Sequence, residues 1–361
     1  MNILFVIDCL GSGGAQRQLV ELAIGIKNKG HIVSFLVYHD INFFKQRLDE
    51  NSIPINYVIE QNYIKRLLKI RNFIRNNKLD AVISFLESPN FICELSCFPL
   101  KKWKLIVGER SSNPNINNSI KLILYRYFHF LADYIVANSK TNIDIIKKIN
   151  PVLSQKKLKV IYNLIDFNIW HPCASYIPLI NNKLNLTIAA SHGKTKNLDG
   201  LIEAVNMLEK KDKEKIVINW FGNFKVETSF SASLDKIREY KLNEVFKFHD
   251  ETSEIKHHMQ KADCIGLFSY YEGFPNAICE GMALRKPIIA SSVSDLPLII
   301  DHKYLCNPNN PESISQVITN ILSLSKEELI KIGYENENKA KRLFDNGIII
   351  NNYIKLLESN H

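Results

Sequence analysis

Short, continuous apolar runs alternate along this chain with longer stretches whose apolar residues recur at helical spacing. Residues 3–8 form the first run. A glycine turn, Gly11-Ser-Gly-Gly14, follows, and then residues 15–29, with Leu19, Leu22, Ala23 and Ile26 on one face. Gly30-His31 ends that stretch, and 32–38 reads as a second strand. Further strands are predicted at 81–86, 105–107 and 132–139. A second series is predicted at 184–190, 217–222, 246–250, 264–268 and 287–290, with helices at 198–208, 255–261 and 276–285 between them. The last 30 or so residues, 327–358, are helical in pattern. Strands that are apolar on both faces and alternate with amphipathic helices belong to parallel sheets covered on both sides, so the fold class is α/β.

Composition adds size and environment. The chain has 361 residues, 46% apolar and 23% charged, an ordinary globular balance, and the length suggests two domains. Its seven cysteines include no Cys-x-x-Cys pair, and the nearest spacing, Cys93 to Cys97, lacks the second pair that zinc needs. Reduced, buried thiols in the cytosol are expected. No apolar run reaches the roughly 18 residues of a membrane span. The opening run has no basic flank and meets Asp8, so it reads as a strand rather than a signal peptide.

Charge changes the picture further. The net charge is +9, unevenly placed: residues 1–165 hold 23 Lys and Arg against 12 Asp and Glu, and residues 166–361 hold 23 against 25. A polyanionic partner is expected for the first half. Within 61–78 lie Lys65, Arg66, Lys69, Arg71, Arg75 and Lys78 and no acid, interleaved with Ile64, Leu67, Leu68, Phe73 and Ile74. Such a stretch serves either as a helix with a solvated basic face or as a face turned to anionic lipid, worth about 1 kcal/mol per basic residue. Residues 119–131 add Tyr125, Arg126, Tyr127, Phe128 and Phe130, suited to a core or to an interface.

The stretch richest in candidate chemistry is Glu272-Gly-Phe-Pro-Asn-Ala-Ile-Cys-Glu280. The apolar run 264–268 precedes it. Gly273 and Pro275 break that strand, and Pro275 suits a helix start. Pro287 stops the helix. Glu272 is thus placed on the loop at the carboxyl end of a strand and Glu280 inside the next helix, the edge where open α/β sheets bind ligands. The free N–H groups of the helix start favour an anion or a hydroxyl there.

The pattern E-G-F-P-N-x-x-x-E-x-M-A-x-x-x-P-I-I-A-S resembles the E-x7-E signature of glycosyltransferase family 4, retaining enzymes of the GT-B fold that use nucleotide sugars. The resemblance implies two Rossmann-like domains facing across a cleft. It implies Glu272 on the donor hexose and Glu280 on the ribose hydroxyls, with Gly273, Phe274, Pro275 and Asn276 lining the donor. Gly13-Gly14-Ala15-Gln16-Arg17 is similar to the family's G-G-A-E-R turn, which implies Gly13 and Gly14 against the donor diphosphate. Residues 132–139 resemble its A-D-x-x-x-x-x-S strand. The segment 159–166 resembles its V-I-P-N-G-V-D crossing, although Tyr162 and Leu164 replace Pro and Gly. The implied division is an acceptor-side domain 1–165, a donor domain 166–340, and a helix 341–361 that returns to the first domain.

In the loop 191–197 the family carries Arg and, five residues later, Lys, both on the diphosphate. Lys196 matches the Lys, but Ser191 stands at the Arg position, so His192 or Lys194 is left to supply that charge. Where the family has V-G-G-x-P-E, this chain has Val293-Ser-Asp-Leu-Pro297-Leu. The loop 108–111, comparable to one that faces the acceptor, offers Glu109 and Arg110, which read equally as a surface ion pair.

The resemblance implies a glycosyltransferase that moves a hexose or N-acetylhexosamine from a nucleotide diphosphate sugar, expected to be UDP-linked, to a glycan acceptor, expected to be lipid-linked. Action at the cytoplasmic face of a membrane and without a metal cofactor is expected, and no Asp-x-Asp occurs. Rival readings are a GT-B epimerase and a non-catalytic glycan-binding protein. A dinucleotide site would need glycine at Gln16 and a ribose acid nearer than Asp40. No nucleic-acid motif accompanies the basic half.

Overall fold

The computed structural model describes residues 1–176, 178, 183–223 and 229–359. The chain divides into two compact units, Met1–Leu164 together with Asn346–His361, and Ile165–Asp345. The first boundary thus lies between 164 and 165 and the second between 345 and 346, where the sequence placed them after 165 and after 340. The returning segment ends on residues outside those described.

The first unit carries strands β1 (Asn2–Val6), β2 (Ile32–Val37), β3 (Ile55–Tyr57), β4 (Ala81–Phe85), β5 (Lys104–Glu109), β6 (Tyr134–Ala137) and β7 (Leu158–Val160). Its helices are α1 (Gly14–Asn28), α2 (Lys45–Glu50), α3 (Tyr63–Asn76), α4 (Glu87–Leu95), α5 (Ile120–Tyr127) and α6 (Lys140–Ile149). The strands pair in parallel in the order β3-β2-β1-β4-β5-β6-β7, with Ile3 opposite Val33 on one side and Ala81 on the other. The direction of winding reverses between β1 and β4, which creates a crevice at the carboxyl ends of those two strands.

Alternation along β1 explains the two-sided core. Ile3 and Phe5 join one apolar cluster, Leu4 and Val6 the other, and all four are fully buried. The first cluster takes in Leu19, Leu22, Ala23 and Ile26 of α1, the face anticipated from their spacing. The second takes in Ile70 and Ile74 of α3, Ile92 of α4 and Ile146 of α6.

The second unit carries β8 (Leu184–Ala189), β9 (Ile216–Phe221), β10 (Phe246–His249), β11 (Cys264–Leu267), β12 (Ile288–Ser291) and β13 (Leu305–Cys306), parallel in the order β10-β9-β8-β11-β12-β13. Its helices are α7 (Leu198–Met207), α8 (Lys210–Lys213), α9 (Ser229–Glu239), α10 (Ile255–Lys261), α11 (Asn276–Ala283), α12 (Pro311–Leu322) and α13 (Lys326–Phe344). Two Rossmann-like domains therefore make up the chain.

The tail is two helices rather than one stretch. Asp345 takes an extended ψ of 128° and pairs as a β-bridge with Ile165, and α14 (Asn346–Glu358) then belongs to the first unit. Ile349, Ile350, Tyr353 and Leu357 of α14 complete the first cluster. Gly25 of α1 permits that approach, because a Cβ there would lie 2.1 Å from Ile350 Cδ1. Lys104 Nζ donates to the carbonyls of Leu356 and Leu357 at 3.1 and 3.0 Å. The crossing segment lacks the family's Pro and Gly, and Gln18 holds it instead. Gln18 Nε2 donates to Leu164 O (3.1 Å) and its Oε1 accepts from Leu164 N (2.7 Å). All seven cysteines are free thiols, six buried and Cys173 half-buried.

Candidate functional site

In the second unit, β11 ends at Leu267 and the chain turns through Ser269–Pro275 before α11. Pro275 is the residue before the helix, with extended backbone, and its carbonyl accepts from Ile278 N (3.2 Å), so the first turn's earlier N–H groups precede the intrahelical ladder. Glu280 lies on the buried side of α11, 4% exposed. Glu272 sits on the turn. Lys196 Nζ donates to Glu272 Oε1 at 2.6 Å and Ser269 Oγ donates to the same oxygen at 2.7 Å. The two side chains keep 23% and 14% of their exposure, so the pair is shielded but reachable. An ammonium has three hydrogens, and the Glu272 bond takes one.

The loop that carries Lys196 is fixed by Asn197. Its backbone is left-handed (φ 60°, ψ 44°), a conformation asparagine tolerates. Its Oδ1 caps α7 by accepting from Gly200 N (3.1 Å), and its Nδ2 donates to Pro308 O (2.7 Å). Tyr270 N donates to Thr195 O (2.9 Å), which joins this loop to the Glu272 turn. The two loops expected to share the donor are thus held together by the backbone as well as by the ion pair.

Two further placements refine the sequence reading. Phe274 is buried and packs edge-on against Phe344, so its ring lies in the core, and the turn beside it presents backbone. Ser294, where the family has glycine, takes φ 52°, and its hydroxyl donates to Gly273 O. That bond ties the departing loop to the signature turn and offsets a backbone cost of about 1 kcal/mol.

The two candidates for the missing charge differ in burial. His192 stacks on Trp220 (5.3 Å between ring centres) with Phe230 and Phe248 against it. Burial pushes its pKa down to about 4, so the ring is neutral near pH 7. Lys194 is exposed and, with His192, Asn197, Asp199, Ser233 and Tyr270, lines a cavity of about 210 Å³. Of the two candidates, His192 is thus a buried neutral ring and Lys194 an exposed side chain.

In the first unit Gly13 is the N-cap of α1 and Gly14 its first residue, at the carboxyl end of β1. Neither has positive φ. The helix start they form has the N–H groups that suit a phosphate. Glu109 and Arg110 differ from the expected surface pair. Glu109 is the last residue of β5 and is buried, with Arg126 Nη2 at 2.6 Å and His129 Nε2 at 3.4 Å. Burial pushes its carboxyl up, but the two cations outweigh that and hold it at about 2. Arg110 stacks over Phe85, 3.7 Å from the ring centre, and donates to Tyr353 Oη (2.7 Å). Both therefore help to hold the unit together. Their partners, 16 or more positions away along the chain, could not be read from the loop alone. Among the described residues, no three His, Cys, Asp or Glu side chains converge as metal ligands, and no helix is long and apolar enough to cross a membrane.

Comparison with known proteins agrees with this geometry. The family model "Glycosyl transferases group 1" matches residues 178–339, and "Glycosyltransferase Family 4" matches residues 12–168. A Campylobacter jejuni protein, N-acetylgalactosamine-N,N'-diacetylbacillosaminyl-diphospho-undecaprenol 4-alpha-N-acetylgalactosaminyltransferase, is 26% identical over 97% of this chain and 98% of its own. A second from that organism, an alpha-1,4-N-acetyl-D-galactosaminyltransferase acting on a GalNAc-GalNAc-diNAcBac-PP-undecaprenol, is 25% identical over 81% of this chain and 79% of its own. In structure, Anabaena HepE in complex with UDP and glucose superposes with a TM-score of 0.87 at 18% identity, covering 100% of both chains. With one of these models on each Rossmann-like unit, the chain is a glycosyltransferase of the group 1 and family 4 kind.

Proposed function

We propose that this enzyme transfers an N-acetylhexosamine or hexose from a UDP-sugar to a polyprenyl-diphosphate-linked glycan, with retention of anomeric configuration and without a metal. The observation that carries the reading is the Lys196–Glu272 pair at the turn before α11, with Glu280 buried in that helix. Support for the substrates comes from the two C. jejuni relatives, whose names specify undecaprenyl-diphosphate-linked glycans, and from UDP in the HepE structure.

The chemistry follows from charge. Breaking the anomeric C–O bond leaves negative charge on the departing diphosphate. Lys196 and Lys194, with N–H groups at helix starts, stabilise it in place of solvent. Glu272 holds Lys196 in position and accepts from a sugar hydroxyl. Glu280 accepts from the ribose hydroxyls, a charge-assisted bond of roughly 1.5–3 kcal/mol. Gly13 and Gly14 present the start of α1 to the donor. The departing phosphate takes the acceptor proton on the same face of the sugar.

The basic first unit, with α3 and its exposed Ile64 and Leu68, rests on anionic lipid at the cytoplasmic leaflet, where the acceptor is held. The experiment is a screen of UDP- and GDP-sugars against polyprenyl-diphosphate-linked N-acetylhexosamine acceptors, read by mass spectrometry, with the product's anomeric configuration read by NMR. Lys196→Ala is expected to lower turnover about 10²–10³-fold while the protein stays folded. Transfer from no donor, or full activity in Lys196→Ala, would overturn the reading. Sedimentation with anionic vesicles at low salt tests the membrane part separately.

A further inference from the structure

Helix α5 has a second apolar face. Tyr125 is buried in the unit, but Ile120, Leu124 and Tyr127, which recur at i, i+4 and i+7 and so form one stripe, are all exposed, Ile120 to 85%. Tyr127 also lines a hollow of about 250 Å³ between the turn Phe128–Leu131 and residues 150–157. Its walls are chiefly apolar, with Phe130, Val152 and Leu153 among them, and Val152 is 89% exposed. Stripe and hollow meet at Tyr127. Single apolar side chains on a surface need no account, but a joined set with a cavity in it marks a place where something binds.

Charge narrows the occupant. Residues 119–157 hold seven Lys and Arg against two Asp and Glu, and one of those acids, Asp133, is paired with Lys101. Lys157 lines the hollow. Its Nζ donates to Phe130 O and Ala132 O, both at 2.8 Å, which takes two of its three hydrogens. Lys148 and Lys156 stand next to the hollow's residues in the chain and are exposed. The apolar walls suit a hydrocarbon chain, which has no polar group to satisfy, and the lysines suit an anion. One ligand with both parts is an anionic amphiphile. Helix α3, proposed above to rest on lipid, is the neighbour of α5, with Tyr63 Oη 3.2 Å from Tyr125 Oη.

We propose that the hollow binds one anionic phospholipid of the leaflet: an acyl chain lies among Tyr127, Phe130 and Val152, the phosphate sits on Lys157 and the lysines beside it, and the outer stripe of α5 enters the surrounding hydrocarbon. The inference rests on the membrane reading given above and deepens it, from a basic face held by charge to a surface inserted among the chains. Position in the sheet separates this lipid from the acceptor. The turn Phe128–Leu131 leads into β6 and residues 150–157 lead into β7, so the hollow lies at the amino ends of parallel strands, whereas Gly13 and Gly14 follow the carboxyl end of β1. These are opposite edges. A carrier lipid must bring its diphosphate to the carboxyl edge, so the lipid in the hollow is a lipid of the bilayer and not a substrate.

The test uses the full chain and vesicles of phosphatidylglycerol and phosphatidylcholine in equal parts. Sedimentation with the vesicles is measured at low salt and at high salt, where exposed charges are screened. The wild type is expected to keep part of its binding at high salt. Ile120→Ser combined with Val152→Ser adds no charge and alters only exposed positions; it is expected to lower binding about tenfold at both salt levels with an unchanged thermal melt. Phosphatidylglycerol with a photoreactive acyl chain is expected to label peptides covering 127–130 and 152–157. Unchanged binding in the double variant, or labelling confined to other peptides, would overturn the proposal. Labelling of those peptides by a photoreactive polyprenyl diphosphate and not by the phospholipid would overturn it in favour of the acceptor carrier, and a dimer in solution that the double variant dissolves would overturn it in favour of a second copy. Wild-type binding that vanishes at high salt removes the inserted lipid and leaves the charge-held face of α3; a wild type that binds no vesicle removes both.

Discussion

The buried network of Glu94, Glu109, Arg126 and His129 makes a quantitative prediction about stability against pH. His129 is fully buried; burial lowers its pKa, but Glu94 and Glu109 outweigh this and raise it from 6.5 to about 9. A group whose folded pKa lies above its unfolded value contributes stability below the unfolded value, and the contribution disappears as pH rises through the folded one. The window is therefore 6.5 to 9. A difference of about 2.5 units at 1.36 kcal/mol each gives about 3 kcal/mol. Glu109, held at about 2 against 4.5, shows the mirror behaviour, with stability lost between about 4.5 and 2 as pH falls. The two values describe one shared network and are not to be added.

Because the chain has two units, the assay must resolve them. Hydrogen exchange in increasing urea, followed by peptide mass spectrometry, does so, with peptides from α4 and β5 reporting the first unit. The wild type is expected to lose about 3 kcal/mol of first-unit stability between pH 6 and 9.5. His129→Gln is expected to be weaker by a similar amount at pH 6 and to show a flattened slope across that window. If wild type and His129→Gln have parallel pH profiles, the assignment of a protonated His129 to this network is wrong.

Other expectations follow from single contacts. Lys286 in the second unit is buried over the ring of Tyr176 (3.1 Å), and burial lowers its pKa to about 7; because its unfolded value is near 10.5, second-unit stability should rise as pH climbs from 7 towards 10.5, opposite in sign to the first unit, and Lys286→Met should flatten that rise in the same exchange experiment. Gly333 of α13 lies so close to β12's approach that a Cβ would stand 2.1 Å from the Arg285 carbonyl oxygen; Gly333→Ala should cost roughly 3 kcal/mol in a urea melt, and a neutral effect would mean that α13 stands off. His192→Phe should keep UDP affinity within a few-fold, since the ring acts as a stacked neutral surface, whereas Lys194→Ala should weaken it about tenfold by titration calorimetry; the reverse order would return the missing charge to His192.

The strands and the signature helix were legible because their information is local. Residues 264–287 contain the strand, the breakers Gly273 and Pro275, and the helix stop Pro287, and the structure has Cys264–Leu267 followed by Asn276–Ala283. The α1 face was likewise written in its own spacing. What the chain does not spell out locally is who covers whom. His192 sits in a polar loop, and the rings that bury it, Trp220, Phe230 and Phe248, come from other elements of the unit. Glu109 and Arg110 look like loop charges until Arg126, His129 and Tyr353 are folded onto them. Helix α12 could have been found from Asn310-Pro311-Glu312, since Asn310 caps Glu312 N (2.8 Å) with proline at the first turn. The break at Asp345 has no such marker; it is set by the bridge to Ile165.

The arrangement of α14 bears on how the protein is made. A ribosome completes the second unit's sequence at Asp345, while the apolar cluster around α1 that Ile349, Ile350, Tyr353 and Leu357 will complete still lacks them. The N-terminal unit, although synthesised first, is thus the later of the two to be completed, and the face of α1 around Gly25 waits uncovered through the translation of some 180 intervening residues. Nascent chains stalled before residue 346 should accordingly bind holdase chaperones through their oldest segment, not their newest.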